Sequence, residues 1–184
     1  MPEPRRGELV VGVGDCRIGS APDGVLSTYA LGSCLAVLVY DWKLKSGGLL
    51  HVMLPDSSID KARSASRPFV YVDTGVPELF RLMEERGSSR HRVRCCIVGG
   101  ASMMADSDHF EIGKRNYLAL KKAFWRMGVF ADREDVGGTE SRSVRLDLQT
   151  GRIDMKKGAG QERIFVPAAV SVPGRTVRDA GIGR

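Results

Sequence analysis

The sequence lacks the long apolar runs that mark membrane-spanning and secreted proteins. No stretch approaches the roughly 18 consecutive apolar residues that a membrane-spanning helix needs. The opening segment, residues 1–7, is charged, and no apolar run of the signal-peptide type follows it. We therefore expect a cytoplasmic protein without membrane insertion.

Cysteine is scarce, and the four cysteines present include no CxxC pair. Adjacent Cys95 and Cys96 are poorly placed to share a metal ion or to form a disulfide. Three of the four lie in apolar, strand-like surroundings, where free cysteine usually behaves as a small hydrophobic residue. A zinc site needs several separated ligands at a recognisable spacing, and none is evident. We expect free thiols, no bound metal and no cofactor.

Aromatic residues make up only 7% of the chain, although the net charge is +6. A nucleic-acid-binding face combines clustered basic residues with aromatic residues, and that pattern is absent. From Lys156 onward six cations stand against two acidic residues, so +4 of the net charge lies in the last 29 residues. This distribution predicts a solvated basic tail over residues 158–184, a folded domain over residues 1–157, and no nucleic-acid partner.

The remaining composition, 42% hydrophobic and 27% charged residues in 184, is that of one globular domain. Apolar or alternating segments predict strands over 8–13, 35–40, 49–54 and 92–98, and a hairpin over 143–155. Amphipathic segments predict helices from about Pro77 to Gly87 and from about Asn116 to Met127, while 15–24 is expected to be a loop and 56–72 irregular. Because the strands come in adjacent groups with two clear helices, we predict an α+β fold.

Cys34 lies where a Gly32-Ser33 turn meets an apolar strand. At such a junction the thiol can be exposed at the strand end while backbone N–H groups converge beside it. A free thiol with a pKa of about 8.5 is only a few per cent ionised at neutral pH, so a nucleophilic cysteine needs a base nearby.

His51 is the candidate base, because strands 35–40 and 49–54 would pair as a hairpin with residues 34 and 51 nearly opposite at its open end. Cross-strand neighbours have Cβ atoms roughly 5 Å apart. The residues alone leave alternatives open: Cys34 as a packed core cysteine and His51 as a core histidine bonded to backbone. Thr28 either caps a turn or orients the histidine.

Other motifs carry weaker signals. Val11–Gly14 is half of a dinucleotide-binding fingerprint, without the third glycine or the helix that should follow. Gly99-Gly100 after a strand predicts a tight turn, with anion binding as the alternative. His91 and His109 lie in polar stretches and are expected in exposed loops.

The sequence closely resembles the CheD family of chemoreceptor glutamine deamidases. The resemblance covers about residues 7–157 and is carried by five segments: Thr28–Val37, Gly47–Pro55, Val98–Met103, Ile112–Asn116 and Asp135–Gly138. They are similar to the family's segments in order, spacing and residue types.

The resemblance implies that Cys34 is the nucleophile, His51 the general base, and Thr28 the residue that orients the histidine. It implies a layered α/β sandwich with mixed or antiparallel sheets and helices packed on one side. Substrate glutamines would lie on the cytoplasmic helices of methyl-accepting chemotaxis receptors, with the protein recruited to receptor arrays and a CheC-type phosphatase as a possible partner. For the tetrahedral oxyanion we expect backbone donors at Gly32 and Ser33.

Three positions depart from the family pattern: Thr139–Ser143 replaces a Gly-Arg-Lys segment, Met104 an aromatic residue, and Lys114 a glutamate. None touches the candidate catalytic set, so they put partner binding in doubt more than catalysis. Two other functions remain open at this point, a binding module that regulates a phosphatase or receptor, and a cysteine peptidase or transglutaminase.

Overall fold

The computed structural model describes residues 7–102 and 112–158 and the backbone of 161–165. The strands are β1 Glu8–Val10, β2 Asp15–Ser20, β3 Val25–Leu31, β4 Leu35–Asp41, β5 Ser46–Val52, β6 Arg94–Gly99, β7 Arg133–Val136, β8 Arg142–Asp147, β9 Ile153–Lys157 and β10 Gln161–Phe165. The α-helices are α1 Lys61–Ser66, α2 Val72–Glu85 and α3 Ile112–Met127, and Ser57–Ile59 and Pro68–Val70 form short 3-10 turns.

The strands form two five-stranded sheets, with the orders β1-β3-β8-β9-β10 (sheet A) and β2-β5-β4-β6-β7 (sheet B). β1 runs parallel to β3 and β6 parallel to β7, and the other pairings are antiparallel. Both sheets are therefore mixed, which is consistent with the predicted α+β layered sandwich.

Sheet B lies in the middle of three layers, which explains why β4 is buried throughout. Its alternate side chains enter two separate cores. Leu35, Val37 and Val39 pack on the helix side with residues of α2 and α3. Ala36 and Leu38 pack on the other side with residues of sheet A. The helices that contribute to the core thus cover one face of sheet B, and the predicted fold class is confirmed.

Both predicted hairpins are present. β4 pairs with β5 across a four-residue connection, and β8 pairs with β9 in the segment that alternates in sequence. These are the elements in which turn residues lie between two clearly patterned strands.

The predicted loop over 15–24 is wrong for its first part, which forms β2. Gly19 indicated a turn in the sequence, but in the structure it allows close packing of the two sheets. A Cβ at Gly19 would lie 2.7 Å from Leu148 Cδ1. β3 and β7 were also not predicted, because neither shows a clear apolar alternation.

The helices begin earlier than predicted. α2 starts at Val72, so Pro77 lies in its second turn and not at its start. α3 starts at Ile112, four residues before the predicted start. The segment expected to be irregular, 56–72, contains α1, which Asp60 caps by accepting a hydrogen bond from Arg63 N.

The segment predicted as a tail contributes one strand: the backbone of β10 pairs antiparallel with β9. The division into a domain over 1–157 and a tail over 158–184 stays a prediction. His109, Met103 and Met104 lie outside the described residues. Within the described ranges, no helix is long and apolar enough to cross a membrane.

Candidate active site

Cys34 and His51 lie at the open end of the β4–β5 hairpin, on the side that faces sheet A. Ala36, not Cys34, is directly opposite His51, so the pairing register differs by two residues from the predicted one. Cys34 is the diagonal neighbour on the same face, where it packs against the core between the sheets. Diagonal neighbours are still within reach of long side chains.

Thr28 reaches His51 from the opposite sheet. Its Oγ1 lies 2.8 Å from His51 Nδ1 and donates a hydrogen bond to the carbonyl of Val11, at 2.7 Å. Because the hydroxyl proton is used on Val11, the hydroxyl oxygen must accept from His51, which places a proton on Nδ1. The other ring nitrogen, Nε2, then carries the lone pair that a general base needs.

His51 is buried, with 2% of its surface exposed. Burial lowers the pKa of its imidazole from 6.5 to about 4, because the charged form loses its water without gaining an acidic partner. Nε2 is buried and has no hydrogen-bond partner among the residues that the structure describes. The ring is therefore neutral at pH 7, with its lone pair on Nε2.

Cys34 differs from the other cysteines in being only partly buried. Burial still raises the pKa of its thiol, and a hydrogen bond from its own backbone N–H opposes this shift. Cys16, Cys95 and Cys96 are buried free thiols in strands of sheet B, and burial raises their pKa further. Of the four thiols, only that of Cys34 combines access with a nearby imidazole.

Hydrogen bonds to three backbone carbonyl groups fix the turn that carries Cys34. The carbonyl of Gly32 accepts a hydrogen bond from Ala101 N at 2.8 Å, and the carbonyl of Cys34 accepts one from Gly100 N at 2.8 Å. The carbonyl of Ser33, between them, accepts a hydrogen bond from the side-chain amide of Asn116 at 3.1 Å. Three consecutive carbonyls are thus fixed by the segment after β6 and by α3.

These bonds also orient the N–H groups of the turn. In a trans peptide the N–H points away from the preceding carbonyl. The N–H groups of Ser33 and Cys34 are therefore directed away from Ala101 and Asn116.

Gly99 and Gly100 form a turn that supports the site. Both have positive φ, +118° and +65°, and the Gly100 N–H bonds the Cys34 carbonyl. That donor is used on the backbone beside Cys34, which favours the tight turn over anion binding at this pair of glycines. The Val11–Gly14 segment likewise connects β1 to β2, and Gly14 N bonds the His51 carbonyl at 2.8 Å.

Asn116 is the residue of the site that sequence reasoning missed. It is fully buried, and its Nδ2 donates to the carbonyls of Ser33 and Met53, at 3.1 and 2.9 Å. The signal was a polar residue on the apolar face of the α3 pattern, one turn before Leu120. His91 is exposed, as predicted. Among the described residues no group of three or more His, Cys, Asp or Glu side chains is placed to hold a metal ion.

The fold and these side chains define a two-sheet α+β domain with a thiol, an imidazole and a hydroxyl at one open hairpin end. A family profile described as CheD chemotactic sensory transduction matches residues 53–157. Full-length comparisons extend the similarity over most of the chain, so the protein belongs to the CheD family.

Three relatives illustrate the similarity. A protein from Solibacter usitatus named probable chemoreceptor glutamine deamidase CheD is 48% identical over 88% of this chain and 95% of its own length. The corresponding proteins of Syntrophus aciditrophicus and Pyrococcus abyssi are 40% and 38% identical over 85% of this chain, and the match covers 98% and 96% of their lengths.

Proposed function

We propose that this protein is a protein-glutamine deamidase that converts glutamine side chains of chemoreceptors to glutamate and releases ammonia. The observation that carries the proposal is the Thr28–His51 hydrogen bond, which leaves the lone pair of His51 on Nε2, on the sheet face that Cys34 shares. The names of the relatives supply the substrate class.

The proposed chemistry is acyl transfer. The Cys34 sulfur attacks the amide carbon of the glutamine side chain while His51 Nε2 takes the thiol proton. The tetrahedral oxyanion accepts hydrogen bonds from backbone N–H groups of the turn, with Gly32 and Ser33 as the proposed donors beside Cys34. Loss of one such donor costs about 3 kcal/mol of transition-state stabilisation.

His51 then returns the proton to the departing nitrogen, so ammonia leaves and a thioester joins Cys34 to the glutamyl carbonyl. Water attacks the thioester with His51 again as base. The carbon–sulfur bond breaks, which yields the glutamate side chain and restores the thiol. Atoms and protons balance with water as the co-reactant, and the cycle uses no metal or cofactor.

The site is proposed to rest as a neutral thiol beside a neutral imidazole. Burial raises the pKa of the Cys34 thiol and lowers that of His51, and both shifts oppose a thiolate–imidazolium pair. Proton transfer is then part of the attack on the substrate. This limits reactions of Cys34 with other electrophiles.

Glutamyl methyl esters present the same acyl group with methanol as the leaving group, so we propose that the site also hydrolyses them. The proposed substrates lie on the cytoplasmic helices of chemoreceptors, so the protein would act in the cytoplasm at receptor arrays. The CheC-type phosphatase partner stays a prediction from the family resemblance.

Replacing Cys34 with serine tests the proposal, with Cys95→Ala as the control that removes a buried thiol outside the site. Cys34→Ser should fold but release no ammonia from a receptor cytoplasmic fragment, because a serine hydroxyl is far less acidic than a thiol. Cys95→Ala should retain turnover. Ammonia release at the wild-type rate from Cys34→Ser would contradict the proposal; normal receptor signalling by that variant would indicate a binding module.

A further inference from the structure

The two strands that carry the candidate site separate at the site itself. The β4–β5 ladder ends at the Leu35–Val52 pair. Beyond Val52 the chain turns to the neighbouring segment, where Met53 N and Leu54 N both bond the Val70 carbonyl at 3.0 Å. Before Leu35 the chain turns to the segment after β6, where Gly32 O accepts from Ala101 N. Cys34, which is only partly buried, lies at this separation.

Asn116 occupies the gap between the separated strands. Its Nδ2 donates to Ser33 O on one strand and to Met53 O on the other. Ser33 precedes the candidate nucleophile, and Met53 lies two residues after the candidate base. The single amide therefore replaces the ladder bonds that the strands lose when they part.

The orientation of this amide is determined by its surroundings. If nitrogen and oxygen were exchanged, Oδ1 would face two carbonyl oxygens with no hydrogen between them. In the observed orientation Oδ1 is buried and has no partner among the described residues. Removing an amide from water costs free energy that its hydrogen bonds only partly offset, so a residue chosen for packing alone would be apolar here.

Helix α3 supplies this amide from a fixed position. A Cβ at Gly113 would lie 2.5 Å from Gly100 O and 2.9 Å from Ala101 O, so the first turn of α3 packs directly on the segment that bonds Gly32 and Cys34. The amide is thus attached to a helix whose first turn is fixed against that segment. One turn beyond Asn116, Leu120 is buried in the core between sheet B and the helices.

We propose that Asn116 is a positioning residue that holds Cys34 and His51 at their working separation by clamping the carbonyls of Ser33 and Met53. The inference rests on the proposed deamidase function. Asn116 touches no reacting atom and acts through the backbone on either side of the site. A displacement of about 1 Å between reacting groups can lower turnover on the order of a hundredfold.

The test compares Asn116→Ala and Asn116→Asp with Leu120→Ala, which removes apolar packing on the same helix without touching the clamp. At a temperature where all variants are folded, both Asn116 variants should lose about a hundredfold in kcat while KM changes less than about threefold. Leu120→Ala should lower the unfolding midpoint but keep kcat within about threefold. If Asn116→Asp does not fold, the kcat of Asn116→Ala alone tests the proposal.

Hydrogen exchange provides a second measurement that needs no substrate. The amides of Gly100 and Ala101, which bond the turn, should exchange at least about tenfold faster in Asn116→Ala, while those of the β8–β9 hairpin do not change. The proposal would be overturned if the Asn116 variants kept the wild-type kcat and the wild-type exchange rates. It would also be overturned if Leu120→Ala lost kcat in parallel with its loss of stability. If the wild-type protein releases no ammonia, the proposed function fails, and the exchange rates alone decide the clamp.

Discussion

At the residue scale, the hydroxyl of Thr28 determines the chemistry available to His51. It donates to the Val11 carbonyl and therefore accepts from His51 Nδ1. The imidazole is oriented by a neutral hydroxyl rather than by a carboxylate, and among the described residues no negative charge offsets its burial. For that reason the pKa of His51 is lowered to about 4, where a carboxylate partner would have raised it.

This lowered pKa predicts how stability depends on pH. Between about pH 6.5 and about pH 4 the unfolded chain binds a proton at His51 that the folded protein does not bind. The free energy of unfolding should therefore be fully retained above about pH 6.5. It should fall as the pH drops toward about 4, by on the order of 1–3 kcal/mol.

Urea unfolding at several pH values between 7 and 4, on wild type and His51→Gln, measures this contribution. Other titrating groups affect both proteins equally, so the difference between the two curves belongs to His51. The wild-type curve should be the steeper one over this pH range. Parallel curves would show that the imidazole is not held neutral by burial.

At the element scale, the site depends on the turn after β6, which contacts the turn before β4. Gly99 has a φ of +118°, and a Cβ there would lie 2.3 Å from the carbonyl oxygen of Cys34. A contact with backbone cannot be relieved by rotating a side chain. Alanine at this position would thus have to displace the turn that presents the thiol.

Gly99→Ala should therefore destabilise the protein by on the order of 3 kcal/mol or more and lower turnover. Gly128→Ala is the matched control. Gly128 also has a positive φ, +66°, but a Cβ added there would meet no atom within 4 Å, so only the backbone cost of about 1 kcal/mol remains. Denaturant unfolding of both variants gives the comparison, and equal losses would mean that the Gly99–Cys34 contact is unimportant.

Sequence and structure agree on the β4–β5 hairpin but not on its register. The hairpin was predictable because two apolar strands flank a polar turn. The hairpin by itself predicts that residues 34 and 51 lie near each other. The pairing register was not predictable, because β4 is buried on both faces and its continuous apolar run does not indicate which residue lies opposite His51. The Asn116 contacts were not predictable either, since they join segments 83 and 63 residues apart in sequence.

At the scale of the whole molecule, each of the three layers supplies a different part of the candidate site. Sheet A supplies the hydroxyl, sheet B supplies the thiol and the imidazole, and α3 supplies the amide that spans the separated strands. The residues named for catalysis thus depend on packing between layers.

The central claim is that Cys34 deamidates receptor glutamines. Mass spectrometry of a chemoreceptor cytoplasmic fragment, incubated with wild type or with Cys34→Ala, tests it most directly. We expect particular glutamines to gain the mass that separates a carboxylic acid from an amide, and only with wild type. Equal gains with Cys34→Ala, or no gain with wild type on a fragment that it binds, would contradict the claim.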